Sequence, residues 1–219
     1  MTIYTDLTEK LMQFYTSGSY HEEAVKAKIQ FNEYAGVFDE AASNFEQKLA
    51  QFVDWYLFTR PLRQFGLSPI ALQAEREVMP MSEEEKPYIQ NLANNRHSLF
   101  EFLKISRDDL HVRDLFSDYK LVIKKSPVVH GFDENEPFEG RLIPHGDSFI
   151  FASAFCFHPK ESVKFILQEV KKVKKVGDDE RPKSREELLI RLFRMRHKYE
   201  QYPHVAIDEI YTNEPRMKF

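Results

Sequence analysis

Two short stretches hold the side chains best suited to chemistry. Arg141-Leu142-Ile143-Pro144-His145-Gly146-Asp147 ends in a turn with an imidazole and a carboxylate two residues apart, and Phe155-Cys156-Phe157-His158-Pro159 closes the following apolar run. If the two runs are neighbouring strands, His145, Asp147 and His158 meet at one end of a sheet, with metal-ligand chemistry in reach. Arg141, His145 and His158 are together the candidate site of an enzyme without a sequence motif. A histidine before glycine or proline at a strand end more often caps backbone groups, and the spacings match no zinc pattern. The expectation is therefore no metal and no cofactor. Cys156, alone in the sequence, sits within apolar surroundings where a thiol is inert filler. It also excludes an intrachain disulfide and the cystine-stapled secreted class.

The established catalytic signatures are missing. There is no GxxxxGK[ST] or GxGxxG phosphate loop in a chain with 7 glycines, no GxSxG elbow, no HExxH and no CxxC pair. The carboxylates fall in turns and on helix faces, where solvation accounts for them. No catalytic residue is assigned.

Charge is the remaining signal. The net charge is -4, yet residues 160–200 carry 13 Lys/Arg against 8 Asp/Glu. At 100° per residue Lys164, Lys171 and Lys175 cluster on one side of a helix beside a Val163–Leu167–Val170 stripe. These lysines are the candidate contact for a protein or other macromolecular partner, with nucleic acid as the alternative. The strand-rich middle is a poor phosphate ligand, since residues 97–159 hold 7 basic against 10 acidic residues.

These residues need elements to hold them, and the hydrophobic pattern predicts an α+β chain in three parts. Residues 1–96 read as a helical region. Ser19 with Glu22 forms a capping box that starts a helix with Val25 and Ile29 inward, and Gly36 ends it. Asp39 caps a longer helix through Ala42, Phe45, Leu49, Phe52, Val53 and Tyr56, stopped at Arg60-Pro61. Ser68-Pro69 and Ser82 with Glu85 open two more. From His97 the period changes, and residues 97–159 predict a five-stranded antiparallel small barrel or curled sheet. Its strands cover Leu99–Ile105, Leu110–Phe116, Tyr119–Ile123, Phe138–Ile143 and Phe149–Phe157. The last is apolar on both faces, so it reads as the central, best-covered strand. Residues 160–219 hold two basic C-terminal helices, Glu161–Val176 and one opened by Ser184 with Glu187, then a tail with a possible strand at Val205–Tyr211. With 19 Phe and 10 Tyr the core is aromatic.

The segment Phe52–Leu62, containing Trp55-Tyr56-Leu57-Phe58-Thr59-Arg60-Pro61-Leu62, resembles the W-x-L-F-x-R-P-L segment of uncharacterised cytoplasmic proteins from delta-proteobacteria. Arg141–Asp147, Phe155–Pro159 and Arg194–Tyr199 are similar to segments of the same family, over roughly residues 38–211. The resemblance implies no activity. Ser98–Glu101 and Val112–Leu115 are more distantly similar to a barrel-like segment of proteins that end in a translocase-type zinc-binding tail. That tail needs several cysteines, so its zinc function does not carry over. The N-terminus lacks the pattern of a signal peptide, and the longest uncharged apolar run, 148–157, is too short to span a bilayer. The sequence thus predicts a cytoplasmic protein off the membrane. The leading reading is a non-enzymatic binding or regulatory protein that recruits a macromolecule.

Overall fold

The computed structural model describes residues 2–36, 44–126, 131–134 and 136–214. Helix α1 (Ile3–Tyr15) starts where Thr2 accepts a hydrogen bond from the Thr5 amide, and it buries Tyr4, Leu7, Leu11 and Tyr15 at three- and four-residue steps. Helix α2 (His21–Ala35) buries Ala27, Phe31 and Ala35. Val25 and Ile29, expected inward, are exposed. Both stripes have helical spacing, but the one with a large aromatic flanked by two alanines permits closer approach and more buried area. Gly36 does end the helix, at φ +76°. The Asp39 cap and Ala42 lie outside the described residues.

Helix α3 (Phe45–Asp54) runs directly into a π-helical turn (Trp55–Thr59), closed by the Arg60 amide on the Trp55 carbonyl at 2.8 Å. Arg60-Pro61 stops it as the sequence predicts. Helix α4 (Pro69–Arg76) is capped by Ser68, and α5 (Lys86–Ala93) follows the Ser82–Glu85 turn.

The sheet comprises β1 (Arg96–Ser106), β2 (Asp109–Asp114), β3 (Lys120–Ile123), β4 (Pro137–His145), β5 (Ser148–Phe151) and the two-residue β6 (Cys156–Phe157). The order is β3-β2-β1-β4-β5, all antiparallel, with β6 also on β4. It curls into a half-barrel, and Ser148 of β5 reaches the Val122 carbonyl of β3 across the open side. Its concave face is rich in phenylalanine: Phe100, Phe138 and Phe151 are buried beside Leu110, Val112, Ile123 and Leu142, with Phe102, Phe132, Phe155 and Phe157 packed on them.

The stretch Phe149–Phe157 is not the single central strand expected of it. It breaks after Phe151, and β5 is an end strand whose Phe149 and Ile150 are half-buried. The best-covered strand is β4, buried at every position from Pro137 to Ile143. Gly140 is the reason the broken segment can fold over it: a Cβ there would stand 3.1 Å from the Phe151 ring and 3.5 Å from Phe155.

Alternation along β4 separates two environments. Phe138 and Leu142 face the aromatic interior, whereas Glu139, Arg141 and Ile143 face the helices. Ile143 joins the core built by α1–α5. Leu99 and Leu115 join a second core with α6 (Val163–Lys174), α7 (Arg181–Gln201) and α8 (Ile207–Ile210). Helix α7 starts three residues before Ser184, and the tail expected as a strand at Val205–Tyr211 is the short helix α8. Among the described residues no helix is long and apolar enough to cross a membrane.

Candidate functional site

The outer face of β4 is where the two helical groups meet, and both leave polar side chains there. Arg141, 3 % exposed, donates from Nε and Nη2 to the Asp54 carboxylate (3.0 and 2.8 Å). Its Nη2 also reaches Thr59 Oγ1 (2.8 Å) and its Nη1 Asn95 Oδ1 (2.6 Å). The guanidinium also stacks 4.6 Å over Phe58. All of its nitrogens are engaged, so Arg141 orients Asp54 and Thr59 rather than offering a free cation. Asp54 precedes the π-helical turn and Thr59 ends it, and the turn supplies Trp55 beside them. An inserted π turn shifts the register of the side chains that follow it, and such turns are frequent at functional sites.

Two residues back along the strand lies Glu139. It pairs across β4–β6 with Cys156, and His158 follows on the same side. His158 Nε2 is 3.0 Å from Glu139 Oε1, and its Nδ1 is 3.0 Å from the Tyr211 hydroxyl. Burial pushes the Glu139 carboxyl up to about 8, opposed by His97 and reinforced by Glu186 and Asp54. Burial, with the Arg196 charge, pushes the His158 imidazole down to about 3. Both groups are therefore neutral near pH 7, and their contact is a hydrogen bond rather than an ion pair. Burial also pushes the Cys156 thiol up, and the Tyr211 phenol with it.

A pocket opens above this floor. Tyr34, Trp55, Phe155 and Phe193 form its aromatic walls, and Gln51, Asp54, Thr59, His97, Glu139 and Cys156 its polar base, with Glu186 among its lining residues. Gln51 is fixed by donating to the Phe155 carbonyl (2.8 Å) and accepting from His197 Nε2 (3.0 Å). His97 stands between two acids: Nε2 is 3.9 Å from Glu139 Oε2 and Nδ1 is 3.7 Å from Glu186 Oε2. Its Nδ1 is buried without a hydrogen-bond partner. For Glu186, burial pushes the carboxyl up, and His97, Arg141 and Arg185 together bring it below the usual range.

The six residues singled out from the sequence lie in three places. Arg141 and His158 both border the polar seam at the pocket. His145 is at the opposite end of β4, exposed, with Nδ1 3.2 Å from the Tyr4 hydroxyl, and Asp147 pairs with Lys124. The structure does not bring His145, Asp147 and His158 together. Lys164, Lys171 and Lys175 are exposed on α6, whereas Lys172 and Lys174 of the same helix pair with Glu169 and Asp118. Sequence reasoning missed Glu139, His97, Glu186 and Tyr211, and set Cys156 aside. Two signals were present: the alternation Phe138-Glu139-Gly140-Arg141-Leu142 puts charges on one face of an otherwise apolar strand, and Cys156-Phe157-His158 puts thiol and imidazole on one side.

Residues 2–205 match the family described as Family of unknown function (DUF7986). The chain belongs to this family. No curated protein and no solved structure matches the chain. The family match spans the helical region, the sheet and α6–α7, so it includes Asp54, His97, Glu139, Cys156, His158 and Glu186. Tyr211 falls beyond it.

Proposed function

We propose that this protein binds a small organic molecule at the half-open pocket between α3, β4 and α7, whose free space of about 50 Å³ takes a hydrogen-bond-donating end while a flat apolar body lies against the aromatic walls. The observation that carries this is the buried Nδ1 of His97 on the pocket lining, which has no hydrogen-bond partner and stands 3.7 Å from Glu186, while Nε2 of the same ring is 3.9 Å from Glu139. A buried polar group without a partner costs about 1–3 kcal/mol, so a ligand that completes it gains what the free protein lacks. The aromatic walls supply the apolar contact, and Asp54, Glu139 and Glu186 make the base rich in acceptors. With His97 set between two carboxyls, proton transfer to or from the bound molecule is the chemistry that this base offers.

Trp55 is the single tryptophan and lines the pocket, so its emission reports occupancy. A thermal-shift screen of aromatic amines and heteroaromatic alcohols, with Trp55 emission as second readout, is expected to find members that move both. Ala154→Phe, placed on the pocket lining, should abolish both responses. A panel that stabilises nothing, or that stabilises Ala154→Phe equally, overturns the reading.

A second reading is favoured by the exposed Lys164, Lys171 and Lys175: an anionic macromolecule docks on α6. Retention on mixed DNA and RNA that falls steeply with salt, and is lost in Lys171→Glu/Lys175→Glu, would support it. Salt-independent or unchanged retention returns these lysines to a solvated face.

A further inference from the structure

The pocket floor carries a second possibility in its own chemistry. Glu139, Cys156 and His158 come from two paired strands and the residue after them, and their ligand atoms all lie within 4.8 Å of one another, each residue buried. We propose that these three side chains bind a zinc ion, through Glu139 Oε, Cys156 Sγ and His158 Nε2, with the fourth position open to the pocket. The proposal rests on the small-molecule reading only for what fills that fourth position.

Four features support it. A thiol, an imidazole and a carboxyl together form a mixed N/O/S set suited to a borderline-soft divalent ion, whereas calcium and magnesium take oxygen ligands. Tetrahedral zinc, with bonds of about 2.0–2.3 Å, needs ligand atoms roughly 3.3–3.6 Å apart, so the set has to contract by about 1 Å at its widest. Glu139 Oε1 already lies 3.0 Å from His158 Nε2, so with that oxygen as ligand the contraction falls on the approach of the Cys156 thiol. The far nitrogen of His158 is already fixed by the Tyr211 hydroxyl at 3.0 Å, the arrangement in which a ligating histidine has its ring orientation set by a partner behind it. Finally, Arg196, the guanidinium whose charge acts on Cys156 and His158, is committed to the Phe157 carbonyl (2.6 Å) and to Glu200 (3.0 Å), and Arg141 to Asp54, Thr59 and Asn95. A bound metal cation would compensate a buried carboxylate and thiolate here.

Glu139 and Cys156 line the pocket while His158 and Tyr211 lie behind it. An ion on this floor would therefore present its remaining position to water or to a ligand's donor atom. Three protein ligands and one open position is the pattern of zinc sites that act on substrates, while structural sites are closed by four.

The test uses the full chain, stripped with a chelator and titrated with Zn²⁺ against a chromophoric chelator, then with Co²⁺ as a spectroscopic substitute. About one equivalent should bind, and the cobalt form should show a thiolate charge-transfer band with tetrahedral d–d absorption. Cys156→Ser should lose that band and bind roughly 100-fold more weakly; Tyr211→Phe should keep the band and weaken binding about 10-fold. Glu139→Gln, which keeps the hydrogen bond to His158 and so the fold, guards against loss of binding by unfolding, with far-UV circular dichroism on every variant. Absence of uptake by the folded protein, cobalt binding without the thiolate band, or a Cys156→Ser variant that binds as well as wild type each overturns the site. Running the organic-ligand screen on stripped protein as well separates the two: failure of zinc uptake then leaves that reading standing, and failure of the screen leaves this one.

Discussion

At the scale of single residues, burial without full pairing sets the function-related groups apart from the structural ones. Arg141 is buried, yet every nitrogen of its guanidinium has an acceptor, and its partners come from α3, the π turn and the α5–β1 junction. That is a fastening between the helical region and the sheet. Removing one member of such a pair leaves the other charge buried alone, which costs about 3–5 kcal/mol, more than the intact pair contributes. Arg141→Met is therefore expected to lower stability by about 3 kcal/mol in urea unfolding. Adding Asp54→Leu should recover much of that loss, because the stranded carboxylate is gone. A double variant no more stable than Arg141→Met alone would show that Asp54 is not stranded by the first change. His97 behaves in the opposite sense: its unpartnered Nδ1 makes it a residue whose replacement should cost little stability and much ligand binding.

At the scale of elements, the lesson lies in β4 and β5. Both are apolar, and the sequence favours the longer run, Phe149–Phe157, as the centre of the sheet. Apolar character reports coverage, not continuity. After Ala152, whose amide still donates to the Arg141 carbonyl, residues 153–155 leave the ladder to carry Phe155 over Gly140, and no period-two pattern encodes that departure. Conversely β4 looks less apolar because Glu139 and Arg141 interrupt it, although both are buried, at 4 % and 3 % exposure. Charges on a strand read as solvent-facing unless the reader knows that helices cover that face. Where the pattern did not depend on a distant partner it was legible: the switch of period at His97, the helix stop at Arg60-Pro61, the Ser68-Pro69 start and the C-terminal Gly36. The same reasoning fixes a prediction. Phe138 is fully buried on β4, and Phe149 half-buried on the end strand. Phe138→Ala should cost about 3–5 kcal/mol in chemical denaturation, and Phe149→Ala clearly less. Equal losses would mean that β5 is as central as its composition suggests.

At the scale of the whole molecule, each helical group carries a carboxylate that ties it together, half-buried in the first and buried in the second, and both contribute to acid stability. In the N-terminal group Glu23 accepts from Arg60 and Arg63. Burial pushes its carboxyl up, and the two guanidinium hydrogen bonds and charges outweigh that, leaving it below the usual range. In the C-terminal group Glu169, 4 % exposed, takes Lys172, Arg191 and the Asn213 amide, binding α6 to α7 and to the residues after α8. Burial again pushes up, and those three partners again prevail. For a carboxyl whose folded value lies below its unfolded one, the unfolded state takes up the proton first. The stabilisation is therefore complete above the ordinary glutamate value of about 4.3 and disappears as pH falls through the lower, folded value. Through these two groups, melting temperature should fall as pH drops below about 4.3. Glu23→Gln and Glu169→Gln should each lower stability at pH 7 by about 1–3 kcal/mol, the cost of a lost charge-assisted hydrogen-bonded pair. Each should also flatten the acid limb, since the titrating group has gone, and the two losses should add because the sites share no partner. A Glu169→Gln protein whose acid limb matches wild type would show that its cations do not hold Glu169 down in the folded state.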